Sequence, residues 1–254
     1  MTVLFISGID TDIGKTMATG QLAKALYQKG HKVITQKLVQ TGCHDIAEDL
    51  ITHRKMMGMP LQKADKDGTT CPYVFSKPAS PHLSSALEDT VIDPEMITAA
   101  TDKLLNDYDI VLLEGAGGLM VPITSSLLSL DYIAKLGYPI VLVTSGRLGS
   151  INHTLLSIEA IESRSLSLHA VIYNQWQPNS SDSSYKKDDE IVDSTRQYLY
   201  QYLQAKHPQA YWVDLPDGSS DHQIQDLDTD NSTNNFNNTL SSLASYADVV
   251  GQMH

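Results

Sequence analysis

The segment GIDTDIGKT, which runs from Gly8 to Thr16, has the residue types of a phosphate-binding loop. It lies between a short apolar run and a stretch with a helical pattern. In such a loop, backbone N–H groups and the helix N-terminus surround the phosphates, Lys15 reaches the outer phosphates, and the Thr16 hydroxyl binds Mg²⁺. Five residues separate Gly8 from Gly14, where the common pattern has four. The segment predicts a nucleoside triphosphate site; the alternative is a glycine turn that happens to end in Lys-Thr.

An acid and a second lysine stand at the ends of two other apolar runs. Glu114 ends the run IVLLE and precedes the glycine-rich GAGG, while Lys37 follows the run VITQ. Carboxyl ends of parallel strands meet at one sheet edge, so we expect both side chains near the phosphate loop. There Glu114 supplies an oxygen ligand to Mg²⁺, and Lys37 joins Lys15 in stabilising a transferring phosphoryl group. The alternative for Glu114 is a strand-end residue that caps the next turn, and a strand-end lysine such as Lys37, taken alone, is more often a solvated surface lysine.

The elements that must position these residues alternate between short aliphatic runs and amphipathic stretches of helical length. Runs such as VLLE and IVLV carry consecutive apolar residues, which is typical of strands buried on both faces of a parallel sheet. We predict one doubly wound α/β domain over residues 1–254, a mostly parallel sheet flanked by helices. The predicted strands cover residues 3–7, 32–36, 110–114, 139–144, 169–174 and 211–215. The predicted helices cover residues 15–29, 94–106, 127–136, 151–163, 186–206 and 239–250.

Two segments depart from this rhythm. Residues 41–81 are polar and hard to assign beyond a helix near 46–57, and an insertion of this length is either functional or mobile. Residues 217–238 include DTDNSTNNFNN, a composition low in apolar residues that favours a flexible loop.

Composition excludes several classes of function. The formal net charge is -12, which disfavours binding to DNA, RNA or an acidic membrane surface. No apolar run approaches the roughly 18–20 residues that span a bilayer, so we expect a cytoplasmic protein. Cys43 and Cys71 are too few for a disulfide framework and form no CxxC pair. The histidines at 44, 53 and 82 lack metal-ligand spacing.

Five motifs in order resemble the dethiobiotin synthetase family. That family's first motif has the form GTDTxVGKT, and GIDTDIGKT matches it together with its long glycine spacing. The others are KLVQTG at 37–42, PASPH at 78–82, EGAGG at 114–118 and LGSINH at 148–153. The resemblance covers residues 3 to about 174 and implies a P-loop nucleoside triphosphatase fold.

The resemblance implies a defined reaction. Members of the family convert 7,8-diaminopelargonate, CO₂ and ATP into dethiobiotin, ADP and phosphate in biotin synthesis, with Mg²⁺ as cofactor. A carbamate forms first, takes the γ-phosphoryl group as a carbamic-phosphoric anhydride, and closes to a cyclic urea. The family is homodimeric, and the substrate carboxylate lies at a helix N-terminus of the partner chain, which corresponds here to residues 149–153. An ordinary helix start capped by Ser150 is the alternative for that segment.

By resemblance, each functional role falls on residues of this chain. The catalytic residues are Lys37, Lys15 and Thr11. The magnesium ligands are Thr16, Asp49 and Glu114, with Asp45 as a rival to Asp49. The ATP-binding residues are Asp12, Ile13, Gly14, Lys15, Thr16, Met17, Asp49, Glu114, Gly115, Ala116, Gly117, Asn174 and Pro216. The substrate-binding residues are Thr11, Asp12, Lys37, Thr41, Ser80, Gly118, Leu148, Gly149, Ser150 and Asn152, and an apolar channel is expected from Leu119, Met120 and Leu148.

Four departures from the family pattern concern substrate affinity rather than phosphate handling. Asp12 stands where Glu is usual, Leu38 replaces Pro, Thr41 replaces Ser, and Ala79 replaces Thr. Two other functions fit the sequence less well. A dimeric P-loop ATPase switch usually carries a second lysine in its loop, and the interior IDTDI has none. An ATP-dependent amidating enzyme usually brings a glutaminase domain, for which this chain is too short.

Overall fold

The computed structural model describes residues 1–175, 189–215 and 233–253. Its strands are β1 (Thr2–Gly8), β2 (Val33–Lys37), β3 (Gln40–Thr41), β4 (Val74–Phe75), β5 (Ile110–Gly118), β6 (Pro122–Thr124), β7 (Leu127–Leu128), β8 (Ile140–Ser145), β9 (Leu168–Asn174) and β10 (Tyr211–Leu215). Its helices are α1 (Lys15–Gln28), α2 (Glu48–Met57), α3 (Lys63–Lys66), α4 (Pro81–Leu87), α5 (Pro94–Leu105), α6 (Ser129–Leu136), α7 (Ser150–Glu162), α8 (Asp189–Lys206) and α9 (Thr233–Gly251).

The runs of consecutive apolar residues form one six-stranded parallel sheet in the order β10-β9-β8-β1-β5-β2. Every residue of β1, β2 and β8 is buried, as strands covered by helices on both faces require. From β1 the chain crosses through α1 to β2 on one side, while β8, β9 and β10 extend the sheet on the other. This reversal places a crevice at the carboxyl end of β1, where ligands of doubly wound sheets bind.

The predicted fold class is confirmed, and most element boundaries shift by one or two residues. The helix predicted at 127–136 begins at Ser129 instead, because Leu127 and Leu128 pair with β6 as a short antiparallel strand. The helix predicted from 186 is described from Asp189. The last helix begins at Thr233, so residues 233–238 are helical and their assignment to a flexible loop is wrong. The rest of that predicted loop lies outside the described residues.

Residues 41–81 contain more regular structure than their composition indicates. The predicted helix near 46–57 is α2, and β4 pairs in parallel with β3. The segment is held by a buried ion pair: Arg54 Nε and Nη2 donate to the two carboxylate oxygens of Asp65 at 2.9 and 2.8 Å. Arg54 Nη2 also donates to the carbonyl oxygen of Thr35 in β2 at 3.1 Å. These polar contacts leave no apolar period in the sequence, which is why the pattern missed them.

No helix among the described residues is both long enough and apolar enough to cross a membrane.

Candidate active site

The phosphate loop joins β1 to α1, and its shape depends on Gly14. This residue has φ of 88°, a left-handed conformation that side chains rarely adopt. A Cβ atom at Gly14 would also lie 2.0 Å from Asn174 Nδ2. The amide of Asn174, at the carboxyl end of β9, donates to the carbonyl oxygen of Ile13 at 3.0 Å. Glycine at this position therefore leaves room for the buried Asn174 side chain to hydrogen-bond to the loop.

Lys15 is buried at the start of α1 and faces the loop interior. Its Nζ donates to the carbonyl oxygen of Asp10 at 3.1 Å. Burial, followed by the charge of Lys37, lowers the pKa of Lys15 to about 8. A bound polyanion would offset both effects, so the geometry favours a phosphate ligand at this end of the crevice.

Lys37 and Glu114 form a buried ion pair at the ends of β2 and β5. The Nζ of Lys37 lies 2.8 Å from Glu114 Oε1 and 2.5 Å from Asp49 Oδ2. Burial alone would lower the pKa of Lys37, but Glu114 and Asp49 raise it well above its ordinary value. Burial would likewise raise the pKa of Glu114, but Lys37 and His53 hold it well below its usual range. Both partners are therefore charged at neutral pH, and the pair is preassembled.

Three oxygen donors converge beside this pair. The Thr16 hydroxyl donates to Asp49 Oδ1 at 3.0 Å and lies 3.5 Å from Glu114 Oε1. Hydroxyl and carboxylate oxygens are the ligands that Mg²⁺ takes in proteins, so the donor set fits this ion. Among the described residues, no group of three or more His, Cys, Asp or Glu side chains is arranged to hold a metal. Such a partial set suits an ion that shares its other ligands with bound phosphates and water. Asp45, the rival to Asp49, is exposed to solvent.

A cavity of about 870 Å³ brings most of the predicted residues together. The predicted residues that line it are Thr11, Asp12, Gly14, Lys15, Thr16, Met17, Lys37, Thr41, Asp49, Ser80, Glu114, Ala116 and Gly117. The lining residues to which no role was assigned from sequence are Gln40, Pro78, Ala79, Pro81 and Val121. All except Val121 belong to the KLVQTG and PASPH motifs, so membership in these motifs could have identified them as lining residues.

Several predicted residues lie near this cavity but do not line it. Ile13 is buried in the loop, and the carbonyl oxygen of Gly115 accepts a hydrogen bond from Lys37 Nζ at 3.2 Å. Gly118 borders a second cleft of about 410 Å³, together with Leu119 and Met120. Pro216 lies outside the described residues. The assignment of Asn174 to adenine binding stays a prediction.

The N-terminus of α7 is open to solvent, and His153 in its first turn borders the second cleft. Leu148 is 86% exposed and borders neither cleft, while Gly149 and Asn152 are also exposed. Gly149, with φ of 93°, is the N-cap residue, so the alternative that Ser150 caps this helix is wrong. The Ser150 side chain is buried, with its Oγ 3.2 Å from Ser145 Oγ.

The loop and this helix start are joined by an ion pair between Asp10 and Arg147, which both keep about two-fifths of their side chains exposed. Sequence reasoning also passed over His53. Its Nε2 lies 3.3 Å from Glu114 Oε2, one helical turn after Asp49 on α2. The four-residue spacing between Asp49 and His53, which places both on one helix face, was the available signal.

Comparison with known proteins agrees with the fold. The family described as "AAA domain" matches residues 2–208. The MinD cell division protein of Aquifex aeolicus superposes with a TM-score of 0.50 at 15% identity, covering 100% of this chain and 99% of that one. The pNOB8 ParA structure, solved bound to nonspecific DNA, gives a TM-score of 0.52 at 13% identity with the same coverage. At such identities the likeness shows the fold alone, and with the site it defines a P-loop nucleotide-binding protein.

Sequence relatives narrow the class. The ATP-dependent dethiobiotin synthetase BioD 2 of Pasteurella multocida is 52% identical over 207 residues, which cover 81% of this chain and 93% of the relative. The ATP-dependent dethiobiotin synthetase BioD of Chlorobaculum tepidum is 50% identical over 197 residues, which cover 78% of this chain and 79% of the relative. The chain belongs to the dethiobiotin synthetase family and is an enzyme, a ligase of biotin biosynthesis.

Proposed function

We propose that this enzyme closes the cyclic urea of dethiobiotin from 7,8-diaminopelargonate, CO₂ and ATP, with Mg²⁺ as cofactor. The observation that carries the proposal is the convergence of Lys15, Lys37, Thr16, Asp49 and Glu114 in one cavity. The hydroxyl side chains of Thr11, Thr41 and Ser80 line the same cavity. A phosphoryl-transfer centre and a set of polar groups for a second substrate thus share one space.

The proposed chemistry proceeds in three balanced steps. One amine of the diamine adds to CO₂ and loses a proton, which gives a carbamate. A carbamate oxygen attacks the γ-phosphorus and displaces ADP, which leaves a carbamic-phosphoric anhydride. The second amine attacks the carbonyl carbon and loses a proton while phosphate departs. Phosphorylation is needed because an unactivated carbamate has no adequate leaving group.

The two lysines stabilise the charge that this sequence develops. Lys15, at the N-terminus of α1, would neutralise the γ-phosphate together with the backbone N–H groups of the loop. Lys37 is held at the cavity by Glu114, Asp49 and the carbonyl oxygen of Gly115, and one of these contacts must open for its ammonium to contact oxygens shared by the phosphate and the carbamate. Positioned cations of this kind are the main catalytic device of phosphoryl transfer.

Thr16, Asp49 and Glu114 would hold the magnesium ion. When bound, the ion would neutralise charge on the nucleotide phosphates.

The exposed start of α7 supports a homodimer. An alkyl carboxylate is an anion, and the exposed N-terminus of α7 is the positive end of a helix dipole, which favours anions. In the proposed assembly this helix start serves the active site of the partner chain. Leu148, beside it, would then be covered by the second subunit.

Incubation of the protein with the diamine, bicarbonate, Mg²⁺ and ATP tests the proposal. We expect phosphate release that depends on the diamine, and a cyclic urea detected by mass spectrometry. A Lys15→Ala variant serves as the inactive control. ATP turnover that is independent of the diamine, with no cyclic product, would contradict the proposal and favour the ATPase-switch alternative.

A further inference from the structure

His53 contacts the candidate magnesium ligand Glu114 from the side opposite Lys37. The His53 ring is fully buried, and its Nε2 lies 3.3 Å from Glu114 Oε2. The other carboxylate oxygen, Oε1, faces Lys37 Nζ at 2.8 Å and Thr16 Oγ1 at 3.5 Å. The two oxygens of Glu114 therefore have different partners, and one of them is directed into the cavity.

A hydrogen-bond chain behind the ring favours one of its tautomers. Arg54 Nη1 donates to Thr35 Oγ1 at 2.7 Å, and a guanidinium group has no acceptor. The hydroxyl proton of Thr35 is therefore free to point to His53 Nδ1, which lies 3.0 Å from Thr35 Oγ1. With Nδ1 as acceptor, a neutral ring carries its proton on Nε2, the atom that faces Glu114.

We propose that His53 is a positioning residue for Glu114. His53 Nε2 and Glu114 Oε2 face each other at 3.3 Å, and both are buried atoms with no hydrogen-bond partner among the described residues. Donation from Nε2–H to Oε2 across this contact would hold the carboxylate so that Oε1 points at Thr16 and Lys37. This inference rests on the magnesium assignment in the proposed function. It makes α2 the element that sets both acids, because the helix carries Asp49 and, four residues later, the donor that orients Glu114.

The expected effect is on metal affinity. Partners that orient a metal ligand typically contribute about 10–100-fold in affinity when they are removed. The side chain of His53 does not line the cavity, so its loss is not expected to weaken nucleotide binding in the absence of metal.

Two substitutions separate orientation from packing. In His53→Gln the side-chain amide N–H can reach the position of Nε2 and still donate to Glu114. In His53→Asn the shorter amide corresponds to Nδ1 and cannot reach Glu114. Mg²⁺ is titrated calorimetrically into the full-length protein saturated with a non-hydrolysable ATP analogue. We expect wild-type affinity for His53→Gln and roughly tenfold or greater weakening for His53→Asn. Analogue binding in chelator should be unchanged in both variants.

Each other outcome overturns the inference. Equal Mg²⁺ affinity in the two variants shows that donation to Glu114 does not matter. A parallel loss of metal-free analogue binding shows a general packing role instead. Absence of a Mg²⁺ effect in the wild-type protein removes the magnesium assignment and the inference with it, whereas a normal wild-type response with equal variants removes the inference alone.

The wild-type protein gives a second test that does not depend on a variant folding. A long-range ¹H–¹⁵N spectrum of the protein distinguishes the two neutral histidine tautomers. The inference predicts that His53 carries its proton on Nε2. The opposite tautomer, with the proton on Nδ1, would place an acceptor against the carboxylate and contradict it.

Discussion

Two regions of the molecule, the phosphate end of the site and the exposed start of α7 (the open end), are built differently. At the phosphate end, Lys15, Lys37 and Glu114 are each at most 7% exposed and already lie in contact with opposite charges or backbone oxygens. At the open end, Leu148 is 86% exposed and the start of α7 faces solvent. In the proposed assembly the first end is complete within one chain, whereas the second becomes a binding site together with the partner chain.

The chemistry of the two proposed ligands accounts for this difference. Developing charge on a phosphoryl group is stabilised best by groups fixed before the reaction, in a space from which water is excluded. The proposed diamine substrate has an aliphatic chain and a carboxylate. The chain needs apolar contacts and the carboxylate needs one anion-binding site, and a partner surface can provide both. Substitutions at the phosphate end should therefore lower the catalytic rate, whereas substitutions at the open end should weaken dimer association and diamine binding.

The largest effect is expected at the phosphate end. Lys37→Met should lower kcat by roughly 10³-fold, because it removes a fixed cation from the transferring group. Nucleotide affinity should fall much less, since Lys15 and the loop remain. Steady-state kinetics and nucleotide titration measure the two quantities. Lys32→Met, at an exposed position directly before β2, is the matched control, and equal losses in kcat and affinity would contradict the prediction.

The same substitution should make stability depend on pH in a new way. Leaving buried Glu114 unpaired should cost about 3–5 kcal/mol at neutral pH. In the wild-type protein the pKa of Glu114 is lowered, so its stabilising contribution is present above about 4.3, the unfolded value, and is lost as the pH falls. In Lys37→Met that pKa should rise, so protonation would relieve the unpaired charge. Urea unfolding should show the gap between the proteins narrowing as the pH falls from about 7 towards 5.

The next effect is expected at the open end. Leu148→Asp should weaken dimer association by about tenfold to a hundredfold, if an interface buries this side chain for roughly 1.5–3 kcal/mol. The KM for the diamine should rise while nucleotide affinity stays constant. Sedimentation velocity and kinetics measure both. Val91→Asp, at a position 85% exposed, is the control. Loss of nucleotide binding in Leu148→Asp would show that the two ends are not independent.

A smaller effect should follow from adding a methyl group at the contact between α1 and α2. A Cβ atom at Gly20 would lie 2.3 Å from Met56 Sδ and 3.2 Å from His53 Cδ2. Gly20→Ala should therefore cost at most about 1 kcal/mol, because Met56 is flexible and alanine favours the helix, but its contact with His53 should weaken Mg²⁺ binding. Thermal unfolding and metal titration measure these changes. Adding Met56→Ala should restore the space and part of the stability, and a double variant no better than the single one would refute this explanation.

The smallest effect is expected at the link between the two ends. Arg147→Ala removes an ion pair with Asp10 in which both side chains are about two-fifths exposed. Such pairs contribute about 0.2–1 kcal/mol, so denaturant unfolding should change little. Arg164→Ala, which removes a comparable pair with Asp131, is the control. A much larger loss of unfolding free energy for Arg147→Ala alone would show that the two regions stabilise each other.

Sequence predicted the fold and the phosphate end because both follow from local pattern. Consecutive apolar residues mark the central strands, and Lys37 and Glu114 were placed together because carboxyl ends of parallel strands share an edge. The choice between Asp45 and Asp49 did not follow, because it depends on where α2 docks. His53 was missed for the same reason, since its partner Glu114 is distant in the chain. The helical residues 233–238 were hidden by their asparagine-rich composition.

Arg54 has a consequence beyond holding residues 41–81 in place. It is among the largest side chains that are completely buried, and Asp65 and Thr35 satisfy its guanidinium group. A buried charge that loses its partner is strongly destabilising, whereas an apolar residue at the same position would tolerate a shifted helix. If α2 shifted along the sheet, Arg54 would lose its partners and its charge would be buried without compensation. The chain thus selects one docking register by making the wrong ones unfavourable, and with it the position of Asp49.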